Sequence, residues 1–128
     1  MTLPRPLSEE ERTLVRWMLQ NGEPEAVTFL NQLDDAVVSG MCGCGCGSID
    51  FQIGDRHPDR KNGMTVLSDY LYGPESPPLG AFVFAYGDTL GGLDVYGFGE
   101  TADRLPTPDE LRPLPKSTSE QVGGGKRE

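Results

Sequence analysis

Apolar residues follow two different periods along this chain. Up to residue 35 they recur at three- and four-residue spacing, and beyond it they alternate or gather in short runs. Ser8-Glu9-Glu10-Glu11 reads as a capping box, with Ser8 as N-cap, Glu11 reaching back, and three acids favouring the helix dipole. Leu14, Val15, Trp17, Met18 and Leu19 give the helix its apolar stripe, and Asn21-Gly22 ends it because either residue tolerates a left-handed stop. Pro24 suits the first turn of a second helix whose apolar face is Ala26, Val27, Phe29, Leu30 and Leu33. A link of two or three residues predicts an antiparallel or strongly angled helical hairpin, with Trp17 as an anchor between helix and sheet.

From Ala36 onward the pattern is that of strands. Residues 36–42 form a first strand weakened by Ser39 and Gly40, and Ile49, Phe51 and Ile53 alternate with Ser48, Asp50 and Gln52 in a second. A Gly/Cys turn joins these two into a hairpin. Thr65–Tyr72 is a third strand, with a short helix as the alternative for this mixed run. Leu79–Tyr86 and Leu90–Phe98 flank Gly87-Asp88, a tight hairpin signal. Phe82, Phe84 and Tyr86 share one face of the first of these strands, and Asp94, Tyr96 and Phe98 share one face of the second. Pro4 and Pro6 keep the start extended. The order predicts an α+β fold: an N-terminal helical hairpin on one face of a mostly antiparallel sheet of about five strands. The domain spans residues 1–112, and 113–128, with Gly123-Gly124-Gly125, reads as a flexible tail.

Composition narrows the class. One modest core fits within 128 residues, and no apolar run approaches a membrane span. The opening residues lack the apolar segment of a secretory signal, and three cysteines within five residues are a poor disulfide framework, so a cytoplasmic setting is expected. The net charge is −9, and residues 64–100 carry Asp69, Glu75, Asp88, Asp94 and Glu100 with no Lys or Arg. Such a field repels phosphate backbones, which argues against direct nucleic-acid binding. Acidity by itself also serves solubility.

The candidate chemistry centres on Cys42, Cys44 and Cys46, each followed by glycine. On a flat strand, residues two apart lie about 6.5–7 Å apart at Cα, at or beyond the reach of a disulfide and too splayed for tetrahedral zinc. Glycines can curl the segment, so a three-thiolate zinc site completed by His57, or a Cu(I) site, is sterically open. The plainer reading is small thiols packed at a turn. A nucleophilic thiolate needs a base or cation nearby, and only His57, Arg56, Arg60 and Lys61 of the 54–63 loop offer one. Gly97-Phe98-Gly99-Glu100-Thr101-Ala102 matches a dinucleotide fingerprint by letter, but the prolines that follow leave no helix to receive a pyrophosphate. Asp34-Asp35 opposes a helix dipole, and Asp94 with Asp69 lacks a histidine or metal set for hydrolysis.

The segments Arg5-Pro6-Leu7-Ser8-Glu9-Glu10-Glu11, Cys44-Gly45-Cys46-Gly47-Ser48-Ile49-Asp50 and Gly92-Leu93-Asp94-Val95-Tyr96-Gly97 resemble those of a group of small bacterial hypothetical proteins, over roughly residues 5–112. The resemblance implies the α+β fold and a bacterial cytoplasmic setting and transfers no catalytic residue. The leading expectation is a non-enzymatic domain that binds another protein, basic in character, through Asp69, Asp88, Asp94, Glu100, Tyr86, Tyr96 and Phe98. In class it is similar to toxin-neutralising immunity proteins. The alternatives are a zinc or copper domain using Cys42, Cys44, Cys46 and His57, and a thiol-dependent enzyme.

Overall fold

The computed structural model describes residues 3–41, 48–74, 78–97 and 105–113. Helix α1 (Glu9–Gln20) opens on the expected capping box. The Glu11 N–H donates to Ser8 Oγ at 3.1 Å, and the Ser8 N–H donates to Glu11 Oε1 at 2.8 Å. Leu14, Val15, Met18 and Leu19 turn inward and are fully buried. Trp17 packs edge-on against Tyr70 of the sheet, ring centroids 5.1 Å apart, which is the anchoring contact its position implies.

The helix stop differs from expectation. Asn21 has φ −122°, and its backbone N–H and side-chain Nδ2 both donate to the Trp17 carbonyl. Gly22 is required by crowding instead, since a Cβ there would sit 2.2 Å from the Leu67 carbonyl oxygen. The Glu23 N–H donates to that same oxygen at 2.7 Å and ties the turn to the sheet.

The second helix is also shorter than the pattern suggests, and the pair is not strictly a helical hairpin. Pro24–Phe29 is a 3-10 helix, followed by a single α turn, α2 (Leu30–Leu33). Val27, Thr28 and Phe29 are weak helix formers, and the Thr28 hydroxyl bonds back to the Glu25 carbonyl at 2.7 Å. With three residues per turn, Ala26 and Phe29 face inward while Val27 turns to solvent.

The sheet has six strands rather than five: β1 (Arg5–Pro6), β2 (Ala36–Met41), β3 (Ile49–Ile53), β4 (Met64–Tyr72), β5 (Leu79–Tyr86) and β6 (Thr89–Gly97). All neighbours are antiparallel, in the order β1-β2-β3-β6-β5-β4. The extra strand is the extended start, where Arg5 pairs with Val38 and Pro6 with Val37. Two residues are too few to show a period, and Pro6 blunts the edge. Arg5 also grips Glu11 through two hydrogen bonds of 2.9 and 2.8 Å, joining β1 to α1. At the opposite edge Leu71 of β4 exchanges backbone hydrogen bonds with Arg112.

The core lies between the helices and the inner sheet face, built from Val38, Phe51, Leu67, Val83, Leu90 and Leu93 with the stripe of α1. Leu71 and Phe84 are buried yet lie outside that core. They belong to the outer face.

Candidate functional site

Two extra residues decide what the outer face carries. Counting back from the Tyr86↔Thr89 pair, strict alternation would oppose Phe82 to Leu93 and turn Asp94 toward the helices. Instead Leu90 pairs with Ala85 and Gly92 with Phe84, so Gly91 is an inserted residue and Phe82 faces Asp94. On the other flank Val66 pairs with Phe84 and Ser68 with Val83, so Leu67 is inserted and Asp69 faces Phe82. A bulge on each side of β5 therefore moves both acids from the core side to the outer side. The product is a row of Asp69, Phe82 and Asp94 across β4, β5 and β6.

Around that row the aromatics form a continuous line. Tyr96, Phe82, Phe84 and Tyr86 follow one another with centroid separations of 5.9, 5.7 and 5.5 Å. The Tyr96 ring lies over Gly80, where a Cβ would come within 2.2 Å of Cζ. The Gly91 bulge brings Gly91 under Phe84 and Tyr86, whose ring atoms would stand 3.0 Å from a Cβ there. Met64 and Val66 extend the apolar surface from β4 and are about half exposed.

Each acid of the row is held by a hydroxyl. The Tyr96 hydroxyl donates to Asp69 Oδ1 at 3.1 Å, and the Ser48 hydroxyl donates to Asp94 Oδ1 at 2.6 Å. Burial pushes the Asp69 carboxyl above the usual range, with the Tyr96 hydrogen bond drawing it partly back. Burial and the neighbouring Asp69 push the Tyr96 phenol far up, so it remains a donor.

A groove of about 500 Å³ runs beside the row, lined by Met41, Asp50, Arg60, Met64, Phe84, Tyr86 and Asp94. Asp50, Arg60 and Tyr86 are shared with a smaller cavity of about 170 Å³ that also holds His57 and Ser39. That cavity lies where β3 and β6 separate, because these strands pair only at Ile49↔Leu93 and Asp50↔Gly92.

Of the residues expected to form a surface, Asp69, Asp94 and Tyr96 come together, and Tyr86 stands farther along the same face. Asp88 does not join them: it sits in the β5–β6 turn, about 13 Å along the strand from Phe82, where its carbonyl accepts from Gln32 Nε2 at 2.8 Å. Phe98 and Glu100 lie outside the described residues, as do Cys42, Cys44, Cys46 and residues 114–128 of the expected tail. His57 is exposed, and among the described residues no group of three or more His, Cys, Asp or Glu could hold a metal ion. Sequence reasoning missed Ser48, Asp50, Met64 and the role of Phe82. The paired glycines at 91–92 were the available signal for the bulge.

No described helix is long and apolar enough to cross a membrane. No known protein family matches the chain, and no curated protein or solved structure shows significant similarity to it.

Proposed function

We propose that the chain is a protein-binding domain whose docking surface is the outer sheet face, with the Asp69–Phe82–Asp94 row at its centre. The observation that carries this reading is the pair of bulges at Leu67 and Gly91, which set two acids beside an aromatic line on the outer face instead of turning them toward the core. Natural sheets tolerate such interruptions where a side chain must be re-aimed. Aromatic rings provide desolvated anchors, and acids around them steer a basic partner and disfavour an acidic one. The charged residues of the described part of β4, β5 and β6 are all acidic, which favours a partner of net positive charge. A toxin-neutralising role of the immunity-protein kind is one form such binding takes.

The test compares proteins retained at low salt by the immobilised wild-type chain and by its Asp69→Asn/Asp94→Asn variant. A basic protein bound by the first and released by the second supports the reading. Equal retention by both chains, or retention of acidic proteins alone, contradicts it.

The metal-binding alternative has one observation in its favour. Met41 and Ser48, which bracket the cysteine run, line the groove that shares Asp50, Arg60 and Tyr86 with the cavity of His57. Elemental analysis of protein purified without chelator distinguishes it, since less than about a tenth of an equivalent of zinc or copper is incompatible with a resident site.

A further inference from the structure

Resting on that reading of the outer face, we infer that the groove beside the acidic row receives a basic side chain of the partner, flanked by an apolar residue, with its cation at Asp94 and its stem across Phe84, Tyr86 and Met64.

Three features select this occupant. The described lining of the groove carries two carboxylates, Asp50 and Asp94, against one cation, Arg60. Asp50 and Arg60 also line the smaller cavity, whereas Asp94 belongs to the groove alone. Among the described residues Asp94 makes no ion pair, and the Ser48 hydroxyl orients its carboxylate. A cation entering the groove therefore gains most at Asp94.

The walls suit a long aliphatic stem. Phe84 and Tyr86 meet edge to face at 76°, so their rings present different surfaces to one incoming chain. Arginine and lysine stems pack on apolar surface while their heads keep polar contact, and a guanidinium gains further from an aromatic face. Met64, 51% exposed, adds a pliable thioether wall that adapts to the flanking apolar residue.

Charge also argues against a second copy of this chain as the occupant. The chain carries −9 overall, and its outer-face strands bring only carboxylates to the contact. Two such faces repel each other.

The probe is the tetrapeptide Ac-Leu-Arg-Leu-Arg-NH2, titrated against the full chain labelled with ¹⁵N and with ¹³C at its methionine methyls, with Ac-Leu-Glu-Leu-Glu-NH2 as the acidic control. Met64 reports the groove, and fully buried Met18 reports the core. The basic peptide is expected to shift the Met64 methyl saturably, without moving Met18, and the acidic one to leave it still. Affinity should fall about fivefold in Asp94→Asn, the size of one partly exposed charge contact, and fall again with added salt.

Equal shifts by both peptides would overturn the inference, because apolar contact alone would then explain them. So would a Met64 shift that depends only on protein concentration, which would mean self-association. If backbone amides around Asp69 and Tyr96 respond to the basic peptide while Met64 does not, the groove assignment fails and the docking face stands. If no amide of the outer face responds to either peptide, both fail.

Discussion

The Tyr96 hydroxyl donates to the Asp69 carboxylate at 3.1 Å, although the two residues belong to β6 and β4 and are separated by the whole of β5. Gly80 makes this possible by leaving room for the Tyr96 ring to lie across the intervening strand. The bond links the flanks of the outer face and holds Asp69 beside Phe82. It also keeps a carboxylate in partly desolvated surroundings, a stability cost that surface acids avoid.

That cost has a pH signature. Because the folded-state pKa of Asp69 is raised, the folded chain holds this proton more tightly than the unfolded chain. Stability is therefore lost as pH rises from about 4, the ordinary aspartate value, through the raised folded pKa. Asp69→Asn removes the titration and leaves an acceptor for Tyr96. Urea denaturation across pH 4–7 should show the variant gaining on wild type as pH rises and then levelling off. A constant difference would contradict the assignment.

Glu11 behaves in the opposite sense. Burial works against its charge, but the hydrogen bonds from Arg5 and Ser8 outweigh burial and hold its pKa below the usual range. Its contribution is present above the unfolded glutamate value and is lost as pH falls through the folded one. Glu11→Gln should cost about 1–3 kcal/mol at pH 7, the worth of charge-assisted hydrogen bonds, and should cost less at acid pH. Paired denaturation curves at neutral and acid pH check this.

Gly80→Ala should lower stability by about 1–3 kcal/mol, the usual cost of an overpacked methyl, because the new Cβ meets the Tyr96 ring. In a Tyr96→Ala background the same substitution should cost far less. A double-mutant cycle reads the coupling, and additive effects would mean the ring does not rest on the glycine.

Gln32 ties α2 to the β5–β6 turn and the start of β6. Its Nε2 donates to the Asp88 carbonyl and its Oε1 accepts from the Leu90 N–H, each at 2.8 Å. Gln32→Ala should cost about 1–3 kcal/mol, since it leaves a backbone donor and acceptor without their side-chain partner. Amide hydrogen exchange at Leu90 should accelerate in the variant.

Much of the fold was legible in the sequence because local chemistry decides it. The Ser8–Glu11 box, the α1 stripe, the Gly87-Asp88 turn and five strand positions all follow from residues close together in the chain. The helix after Pro24 was not legible, because Val27, Thr28 and Phe29 satisfy a helical apolar pattern while favouring a tighter winding. The site was legible only in part. Alternation does group Phe82, Phe84 and Tyr86, and separately Asp94 and Tyr96, but it cannot say that these groups share a face. That depends on the register, and an inserted residue at Gly91 reverses it. The same holds for Asp69, which a strict pairing of β4 with β5 would have buried.

The central claim is that these two reversals build a docking face for a basic protein. It is tested most directly by the association rate of the captured partner, measured from low to physiological ionic strength with wild type and with Asp69→Asn/Asp94→Asn. The account predicts a rate that falls about tenfold or more with salt for wild type, and a variant that is slower at low salt with a flatter dependence. Identical, salt-independent rates for the two chains would contradict it.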